Sequence, residues 1–362
     1  MKDNFDIAVF HGDGIGPEIM APTLDILRDL ASLGGYRLSF HDCAAGAAHY
    51  AKTGESLPAM SMQTARQSDA ILLSAMGLPS VRYKDGTEIS PQIELRKALN
   101  LFAGVRPVRI FPGQKTPLNM PEGREVDFVL IRESTEGLFH TQGRGEVSQN
   151  EARETLLITR ETSELLFRFA FNLARERKAA GRGKGLVTCV DKANVFRAFA
   201  FFREIFDAQA ANYPDLQNDH AYVDAMALWF VQRPWDFDVL VTENMFGDIL
   251  SDLGAGLMGG LGVAPSADIG LHHAVFQPCH GSAPDIAGQG IANPLAMILS
   301  AAMMLEWLGL REGHARMAAD GAQLRDATEA VIAQGDVLTG DLGGSARTLE
   351  AAGAVSAALK GA

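Results

Sequence analysis

The sequence predicts an α/β fold built on an open sheet. Short apolar runs alternate with longer amphipathic stretches, which is typical of strands that alternate with helices. The chain has 362 residues, more than one ordinary compact core holds, so two domains are expected. Apolar residues make up 47% of the chain and charged residues 21%, which is a normal globular composition.

The clearest predicted helix follows the glycine-rich turn GDGIGPE near the N-terminus. Pro17 suits the first turn of a helix, and the pair Gly34 and Gly35 suits its end. The predicted strands are 6–10, 70–74, 128–131, 185–190 and 238–242. The other predicted helices are 150–177, 195–206, 294–307 and the alanine-rich stretch EAAGAVSAALK. Loops with glycine and proline are predicted at 79–91 and 112–123.

Charge and composition exclude several classes of partner. The formal net charge of −12 disfavours nucleic acid and anionic membranes. Gly, Asp or Pro interrupts each apolar stretch, so no membrane span is expected, and MKDNFDIAVF lacks the apolar core of a secretory signal. The cysteines Cys43, Cys189 and Cys279 are widely spaced, which predicts a reducing compartment without disulfides. We therefore expect a cytoplasmic protein.

Paired carboxylates in the segment NMFGDILSD predict a metal site. Asp248 and Asp252 are four residues apart, so on a helix they share one face and repel each other unless a cation lies between them. Such a pair suits Mg²⁺ or Mn²⁺, and an exposed acidic face is the alternative. Asp224 is a third candidate, because it lies in the apolar run AYVDAMALWFV, where an unpaired charge is costly. A structural ion pair would also explain Asp224.

Three arginines lie in apolar segments of the sequence. They are Arg96 in IELRKAL, Arg106 in AGVRPV and Arg132 in VLIRES. Guanidinium groups bind carboxylates through two parallel hydrogen bonds. The set predicts a small substrate with two or more carboxylates, whereas an internal salt bridge is the alternative for each arginine taken alone.

Lys192 directly follows a predicted strand, in TCVDKANVF. A lysine close to a metal ion and arginines would hold its proton less tightly and could act as a general base. A surface lysine at the end of a strand is the alternative.

The segment HGSAPDIAGQGIANP predicts a nucleotide-binding loop. Its glycines allow a close approach of the backbone to phosphate. Asp285 could hydrogen-bond a ribose hydroxyl and would repel a 2′-phosphate, which favours NAD over NADP. The N-terminal GDGIGPE does not fit the pattern G-x-G-x-x-G, so the Rossmann fingerprint is absent.

With these motifs in this order, the chain resembles the β-decarboxylating dehydrogenases. That family includes 3-isopropylmalate dehydrogenase and relatives acting on isocitrate, homoisocitrate, tartrate and D-malate. The resemblance extends from GDGIGPE to GDLGGSA, and NMFGDILSD, VDKANV and HGSAPDIAGQGIANP make it specific. It implies a two-domain open α/β sheet with a non-Rossmann NAD site. Residues 1–101 with 259–362 would form the NAD-binding domain, and 102–258 the dimerisation and metal- and substrate-binding domain, with the active site in the cleft between them.

The resemblance also implies a role for each candidate residue. The implied carboxylate clamps are Arg96, Arg106 and Arg132. The implied metal ligands are Asp224, Asp248 and Asp252. The implied NAD-binding residues are His280, Gly281, Ser282, Ala283, Asp285 and Asn293. Lys192 would be the catalytic lysine, and Lys192 and Asp224 would reach the active site of the neighbouring subunit, which implies an obligate homodimer with shared sites.

One departure from the family affects proton transfer. The family places a tyrosine after the third clamp arginine, where it protonates the enol, and Phe139 occupies that position in RESTEGLFHTQG. Phenylalanine has no proton to give. The adjacent His140 would point the opposite way if the segment were extended. Either water or another group donates the proton, or the final step is slow, or the chemistry differs.

A second departure affects the substituent on carbon 3 of the substrate. In EISPQIELR, Gln92 replaces one leucine of the isopropylmalate enzymes and Ile93 keeps the other, while Ser90 lies where isocitrate and homoisocitrate enzymes keep a serine. A buried Gln facing an isopropyl group would lose hydrogen bonds, at a cost of roughly 1–3 kcal/mol. Gln277 replaces a glutamate that isopropylmalate enzymes usually have near the cofactor.

The expected function is NAD- and Mg²⁺- or Mn²⁺-dependent oxidation and decarboxylation of a 3-substituted malate, similar to that of 3-isopropylmalate dehydrogenase. Isocitrate, homoisocitrate, tartrate and D-malate are alternative substrates. A non-catalytic regulatory subunit that binds the same ligands is the other class of hypothesis, and Phe139 is its only support.

Overall fold

The computed structural model describes residues 2–110 and 114–361, and within them a mixed ten-stranded sheet crosses the molecule. The strand order is β2-β1-β3-β12-β11-β4-β5-β10-β8-β9, and β6 and β7 form a separate hairpin. The strands are β1 Asn4–Phe10, β2 Arg37–Asp42, β3 Ala70–Leu73, β4 Ala103–Ile110, β5 Val126–Glu133, β6 Glu146–Val147, β7 Ala152–Arg153, β8 Leu186–Asp191, β9 Gln217–Tyr222, β10 Val239–Thr242, β11 Pro265–Ile269 and β12 Ala274–Pro278.

Parallel pairing at both ends of the sheet gives way to antiparallel pairing at its centre. Strands β2, β1, β3 and β12 pair in parallel, as do β5, β10, β8 and β9, whereas β12, β11, β4 and β5 pair antiparallel in that order. All strands on the β2 side up to β11 come from residues 1–101 and 259–362, and the rest come from 102–258. The chain therefore changes from one half of the sheet to the other where β4 meets β11.

Helices cover both faces of the sheet, as expected for strands that are buried on both faces. The helices are α1 Gly16–Gly34, α2 Ala47–Thr53, α3 Ala59–Gln67, α4 Pro91–Ala98, α5 Arg160–Ala179, α6 Arg197–Ala210, α7 Val223–Gln232, α8 Asn244–Leu257, α9 Leu295–Arg311, α10 Ala315–Gln334 and α11 Thr348–Gly361. Helix α9 is almost entirely buried against β11, β12 and α10. Helix α1 ends at Gly35, whose φ of +73° closes the last turn.

The α/β class and the five predicted strands are confirmed, as is the C-terminal helix. The predicted helix over 150–177 is wrong at its start, because residues 150–159 are not helical and include strand β7. Helix α5 begins after Thr159, whose hydroxyl accepts a hydrogen bond from the backbone N–H of Thr162 at 3.3 Å. The predicted loop over 112–123 begins at residues outside the described ranges.

The core is continuous across both halves of the sheet. On the side of 102–258, aromatic rings of α5 and α6 pack together, with the ring centroids of Phe167 and Phe202 4.6 Å apart. Nowhere in residues 2–110 and 114–361 does a helix combine the length and apolar character needed to cross a bilayer.

Candidate active site

A cavity of about 290 Å³ opens where β3, β4, β5 and β12 meet helices α4 and α8. The three arginines predicted as carboxylate clamps line it, together with two of the three predicted metal-binding aspartates. The lining includes Arg96, Arg106, Arg132, Asp248, Asp252, Gln92, Ile93, Phe139 and Gln277. The structure thus brings together residues that lie as far apart in the sequence as Gln92 and Gln277.

Arg96 and Arg106 share one buried carboxylate, that of Asp268 on β11. The Nε of Arg96 donates to Asp268 Oδ2 at 2.9 Å, and Nη2 of Arg106 donates to Asp268 Oδ1 at 3.2 Å. Nη1 of Arg106 also donates to the carbonyl of Ala267 at 2.9 Å. Burial raises the pKa of Asp268, but the nearby arginine charges outweigh it and hold that pKa at about 2. Asp268 is therefore a carboxylate at any physiological pH.

Arg132 is fixed by the N-terminal part of α8. Its Nε and Nη2 donate to Asn244 Oδ1 at 3.0 and 2.8 Å, and Nη1 contacts the carboxylate of Asp248. Gly247 makes this possible, because a Cβ at that position would overlap the aliphatic part of Arg132. Burial and then the charge of Arg96 lower the pKa of Arg132 to about 10, so it remains a cation at neutral pH.

Asp248 and Asp252 lie one turn apart on α8, as their spacing predicted. Both are exposed at the mouth of the cavity. Partial burial raises the pKa of Asp252, and the charge of Asp248 raises it further. Within the described ranges of the single chain, no group of three or more metal-binding side chains forms.

Lys192 and Asp224 lie together on the outer surface, apart from this cavity. Lys192 Nζ donates to Asp224 Oδ1 at 2.6 Å, and this hydrogen bond lowers the pKa of Asp224. In the single chain the side chain of Asp224 is exposed and paired with Lys192, which is the structural ion pair given as the alternative to a metal ligand. Helix α7, which carries Asp224, has apolar side chains on its outward face as well, where Leu228 and Val231 are exposed.

Phe139 lines the cavity beneath Arg132, whose guanidinium carbon lies 5.3 Å from the centre of the phenyl ring. The segment 138–141 is a 3₁₀ helix and not an extended strand. The alternation of side chains along a strand therefore does not apply to Phe139 and His140. His140 is still absent from the residues that line the cavity.

The predicted specificity residues differ in their placement. Gln92 and Ile93, on α4, both line the cavity. The Oε1 atom of Gln92 is buried, and it has no hydrogen-bond partner in the described part of the chain. Ser90 lies behind them, where its hydroxyl donates to the carbonyl of Glu88 at 3.3 Å and accepts from Gln142 at 3.5 Å.

A second cavity adjoins the first along the predicted nucleotide loop. Of the predicted NAD residues it is lined by His280, Gly281, Ala283 and Asn293, with apolar walls from Ile15, Leu261, Ile286 and Ile291. His280 and Gly281 line both cavities, so the two spaces lie side by side at these residues. The Nε2 of His280 is buried, and no described residue bonds it, while burial lowers the pKa of the ring.

Two predicted NAD residues do not line that second cavity. Ser282 is buried, and its hydroxyl donates to the carbonyl of Gly77 while its own carbonyl accepts from Ile15 at 2.8 Å. Ser282 thus joins the nucleotide loop to the GDGIGPE turn, whose Gly14 leaves no space for a Cβ beside the carbonyl of Ser282. Asp285 is exposed at the outer edge of the loop.

Several residues that build the site were missed by reasoning from the sequence. Asp268 and Asn244 hold the three arginines, and Cys279 lines the cavity with its thiol pKa raised by burial. Asp268 lies in the apolar strand PSADI, where a charged residue in a buried strand was an available signal. Asn244 gave no such signal, since asparagine at the first turn of a helix is common.

Comparison with known proteins identifies the family of this arrangement. A family model described as isocitrate/isopropylmalate dehydrogenase matches residues 6–357. The chain belongs to this family. It is a dehydrogenase, an oxidoreductase acting on a CH–OH group with decarboxylation. It is 43% identical over 347 residues to a 3-isopropylmalate/3-methylmalate dehydrogenase of Methanocaldococcus jannaschii, with 96% of each chain covered. It is 40% identical over 311 residues to a 3-isopropylmalate dehydrogenase of Aquifex aeolicus, with 84% of each covered.

Solved structures show the same fold. An isocitrate dehydrogenase from Methylococcus capsulatus superposes with a TM-score of 0.85 at 36% identity, covering 98% of this chain and 99% of that one. A beta-decarboxylating dehydrogenase from Thermococcus kodakarensis gives a TM-score of 0.77 at 34% identity, covering 99% and 96%. The predicted family and fold class are thereby confirmed.

Proposed function

We propose that the protein oxidises a malate substituted on carbon 3 with NAD⁺, and then decarboxylates it, in a site completed by a second copy of the chain. The single observation that carries this proposal is the cavity in which three guanidinium groups face two aspartates of α8. Guanidinium groups bind the carboxylates of a small polyacid, and paired carboxylates bind a hard cation. These are the two requirements for binding a metal-bound hydroxy acid.

A divalent metal fits the donor set. Asp248 and Asp252 offer carboxylate oxygens from one face of α8, and Mg²⁺ or Mn²⁺ prefers such ligands. We propose Asp224 of a second copy as the third carboxylate, because Asp224 of the same chain lies on another surface. When bound, the cation would act as a Lewis acid toward the oxygen on carbon 2.

NAD⁺ fits the second cavity. Its apolar side chains suit a flat aromatic base, and the buried, unpartnered Nε2 of His280 supplies a polar atom for it. We propose His280, Gly281, Ala283 and Asn293 as direct contacts. Asp285 remains our candidate for the ribose, reached from the loop edge, and Ser282 would shape the loop through its bond to Gly77.

The chain's own residues divide the remaining tasks. Arg96, Arg106 and Arg132 would bind and orient the substrate carboxylates so that carbon 2 faces the nicotinamide. Lys192 of a second copy would accept the proton of the hydroxyl group. Phe139 excludes water from one wall but supplies no proton, so protonation of carbon 3 would use a water molecule.

A homodimer is supported by exposed apolar side chains around Asp224 and α8. Val195, Phe196, Leu228, Val231 and Ile249 are each more than half exposed. Helices α7 and α8 pack against each other, so Leu228, Val231 and Ile249 lie on neighbouring helices. We propose that the same surface of a second copy covers this patch, which would bring Lys192 and Asp224 to the partner's cavity.

We further propose that residues 1–101 with 259–362 form one domain and 102–258 the other. The strand order supports this division, since β11 and β4 are neighbours at the change from one set to the other. The cavity would then lie in a cleft between domains. The free state of Cys43, Cys189 and Cys279 supports the cytoplasm as the compartment.

The wall formed by Gln92 favours a polar group on carbon 3. Its unpartnered Oε1 would gain a hydrogen bond from a hydroxyl-bearing substituent and none from an isopropyl group. 3-Isopropylmalate is the substrate named for the sequence relatives and remains a candidate. Ile93 and Met76 keep part of the cavity wall apolar.

A substrate panel tests this function. NADH formation would be followed with NAD⁺ and Mn²⁺ for D-malate, tartrate, isocitrate, homoisocitrate and 3-isopropylmalate. We expect turnover of at least one acid, and of polar acids over 3-isopropylmalate. No turnover of any acid would contradict the proposal and favour the regulatory-subunit hypothesis.

A further inference from the structure

The carboxylate of Asp268 is the only buried group, among the residues the structure describes, that bonds two of the clamp arginines at once. It accepts four hydrogen bonds. Arg96 Nε and Gln277 Nε2 each donate to Oδ2 at 2.9 Å, and Arg106 Nη2 and Ser134 Oγ each lie 3.2 Å from Oδ1. All lone pairs of the carboxylate that face the protein are therefore used.

A glycine on the neighbouring strand leaves space for the Asp268 carboxylate. Gly104 of β4 lies directly opposite Asp268 of β11 in the antiparallel register. A Cβ at residue 104 would come within 3.1 Å of Asp268 Oδ1 and closer still to Ser134 Oγ. A side chain at that position would crowd the Ser134 hydroxyl and the Asp268 carboxylate, and glycine avoids both contacts.

The bonds to Asp268 decide which nitrogens of the arginines face the cavity. Asp268 takes the Nε edge of Arg96, and in residues 2–110 and 114–361 no acceptor bonds its terminal nitrogens. Arg106 is held by Asp268 through Nη2 and by backbone carbonyls through Nη1. Neither arginine can rotate without breaking a buried, charge-assisted hydrogen bond.

We propose that Asp268 is a positioning residue for the substrate clamps, and that the negative charge it supplies from β11 could equally be supplied from β12 at position 277. Gln277 is the neutral neighbour of this carboxylate on β12. Its amide nitrogen touches the very oxygen that bonds Arg96, so a carboxylate at 277 would reach the same space. Two carboxylates there would repel each other, so the site has room for one charge on either strand.

The test is a double-mutant cycle on Asp268 and Gln277. The test rests on the proposed function only for the identity of the ligand. The first readout is therefore the binding of D-malate in the presence of Mn²⁺, measured by calorimetry. Asp268→Asn and Asp268→Ser should each weaken D-malate binding by about tenfold or more, with NAD⁺ binding changed less than about twofold. Gln277→Glu alone should also weaken D-malate binding. The double variant Asp268→Ser with Gln277→Glu should return to within about threefold of the parent.

A matched control separates positioning from general stability. Asp238 is likewise buried and bonds an arginine, Arg177 Nε at 2.8 Å, but it does not line the cavity. Asp238→Asn should lower the melting temperature and leave D-malate affinity unchanged. If Asp268→Asn loses affinity for D-malate and NAD⁺ equally, or not at all, the proposal is wrong.

Folding failure is also informative. If neither Asp268 variant folds but the double variant does, the exchange of charge between strands is supported. If the double variant binds no better than Asp268→Ser, or fails to fold, the exchange is refuted. If the parent protein binds D-malate but turns over no acid, the proposed function is contradicted. The double-mutant cycle can still be measured in that case, because its readout is binding.

Discussion

Lys192 Nζ lies 2.6 Å from Asp224 Oδ1, on a surface that does not line the cavity formed by Arg132 and Asp248 of the same chain. A base and a metal ligand that sit together but outside their own cavity are explained if they serve a neighbouring subunit. The apolar side chains of α7 and α8 around this pair are exposed and would form the contact surface of the proposed dimer.

Shared sites predict complementation between two inactive variants. Lys192→Ala and Asp252→Asn should each be nearly inactive alone. Mixed dimers would contain one intact site, with Asp252 from one chain and Lys192 from the other. Random reassortment should restore about a quarter of the parent activity, because half of the dimers are mixed and each has one of two sites. Activity would be measured after unfolding and refolding the mixture, and no recovery would contradict shared sites.

Phe139→Tyr should increase kcat, because protonation of carbon 3 follows the loss of CO₂ and has no positioned donor in the parent. The ring lies in the wall of the cavity under Arg132, so a phenolic hydroxyl added there would enter the space for substrate. A positioned proton donor contributes about 10²-fold or more to a proton-transfer step. The measurement is kcat for NADH formation with the best acid of the panel, with Phe199→Tyr as a control outside the cavity. An unchanged kcat would show that protonation is not the slow step.

Gln92→Leu should shift specificity toward apolar substituents. Removing the unpartnered Oε1 from the wall would favour 3-isopropylmalate over a hydroxyl-bearing acid by about tenfold in kcat/KM. The ratio of the two kcat/KM values is the measurement, and Gln142→Leu, behind Ser90, is the comparison. A shift of the same size in both variants would refute a direct contact by Gln92.

Glu133 should make stability depend on pH between about 5 and 7. Burial raises its pKa from 4.5 to about 7, against hydrogen bonds from Thr135 and Glu136. The folded state therefore keeps a proton that the unfolded state has lost, so stability is full below the unfolded pKa and falls as pH rises toward 7. The loss attributable to this group is on the order of 3 kcal/mol.

The variant Glu133→Gln should lose this part of the pH dependence. The difference in unfolding free energy between Glu133→Gln and the parent should move in favour of the variant as pH rises from 5 to 7. Urea unfolding at a series of pH values measures it, and Glu122→Gln serves as an exposed control. A difference that stays constant with pH would contradict the raised pKa of Glu133.

Much of the fold was predictable because strands here are short apolar runs and helices begin at recognisable turns. The strand beginning at Val126 and the helix ending at Gly35 follow directly from such patterns. Strand β9, Gln217–Tyr222, was not predictable, since its side chains are mostly exposed and polar at the edge of the sheet. The start of α5 was misplaced because the helical pattern continues into residues that pair as β7.

The residues of the candidate site were predictable where a family motif contains them. They were not predictable where a contact between distant strands of the sheet holds the side chain in place. Arg96 and Arg106 were predicted as substrate clamps, but the carboxylate that holds both comes from β11, 162 positions after Arg106. No local pattern reports that pairing. His140 lies outside the cavity as expected, although in a 3₁₀ turn and not in an extended segment.

The most direct test of the proposed oxidative decarboxylation is the ratio of CO₂ to NADH formed with the best acid of the panel. NADH and CO₂ would be measured together at saturating NAD⁺, with added Mn²⁺ and again after chelation by EDTA. We expect equal amounts of NADH and CO₂ with Mn²⁺, and loss of both with EDTA or in Asp248→Asn. NADH formed at the same rate in EDTA, or NADH without CO₂, would contradict metal-dependent oxidative decarboxylation.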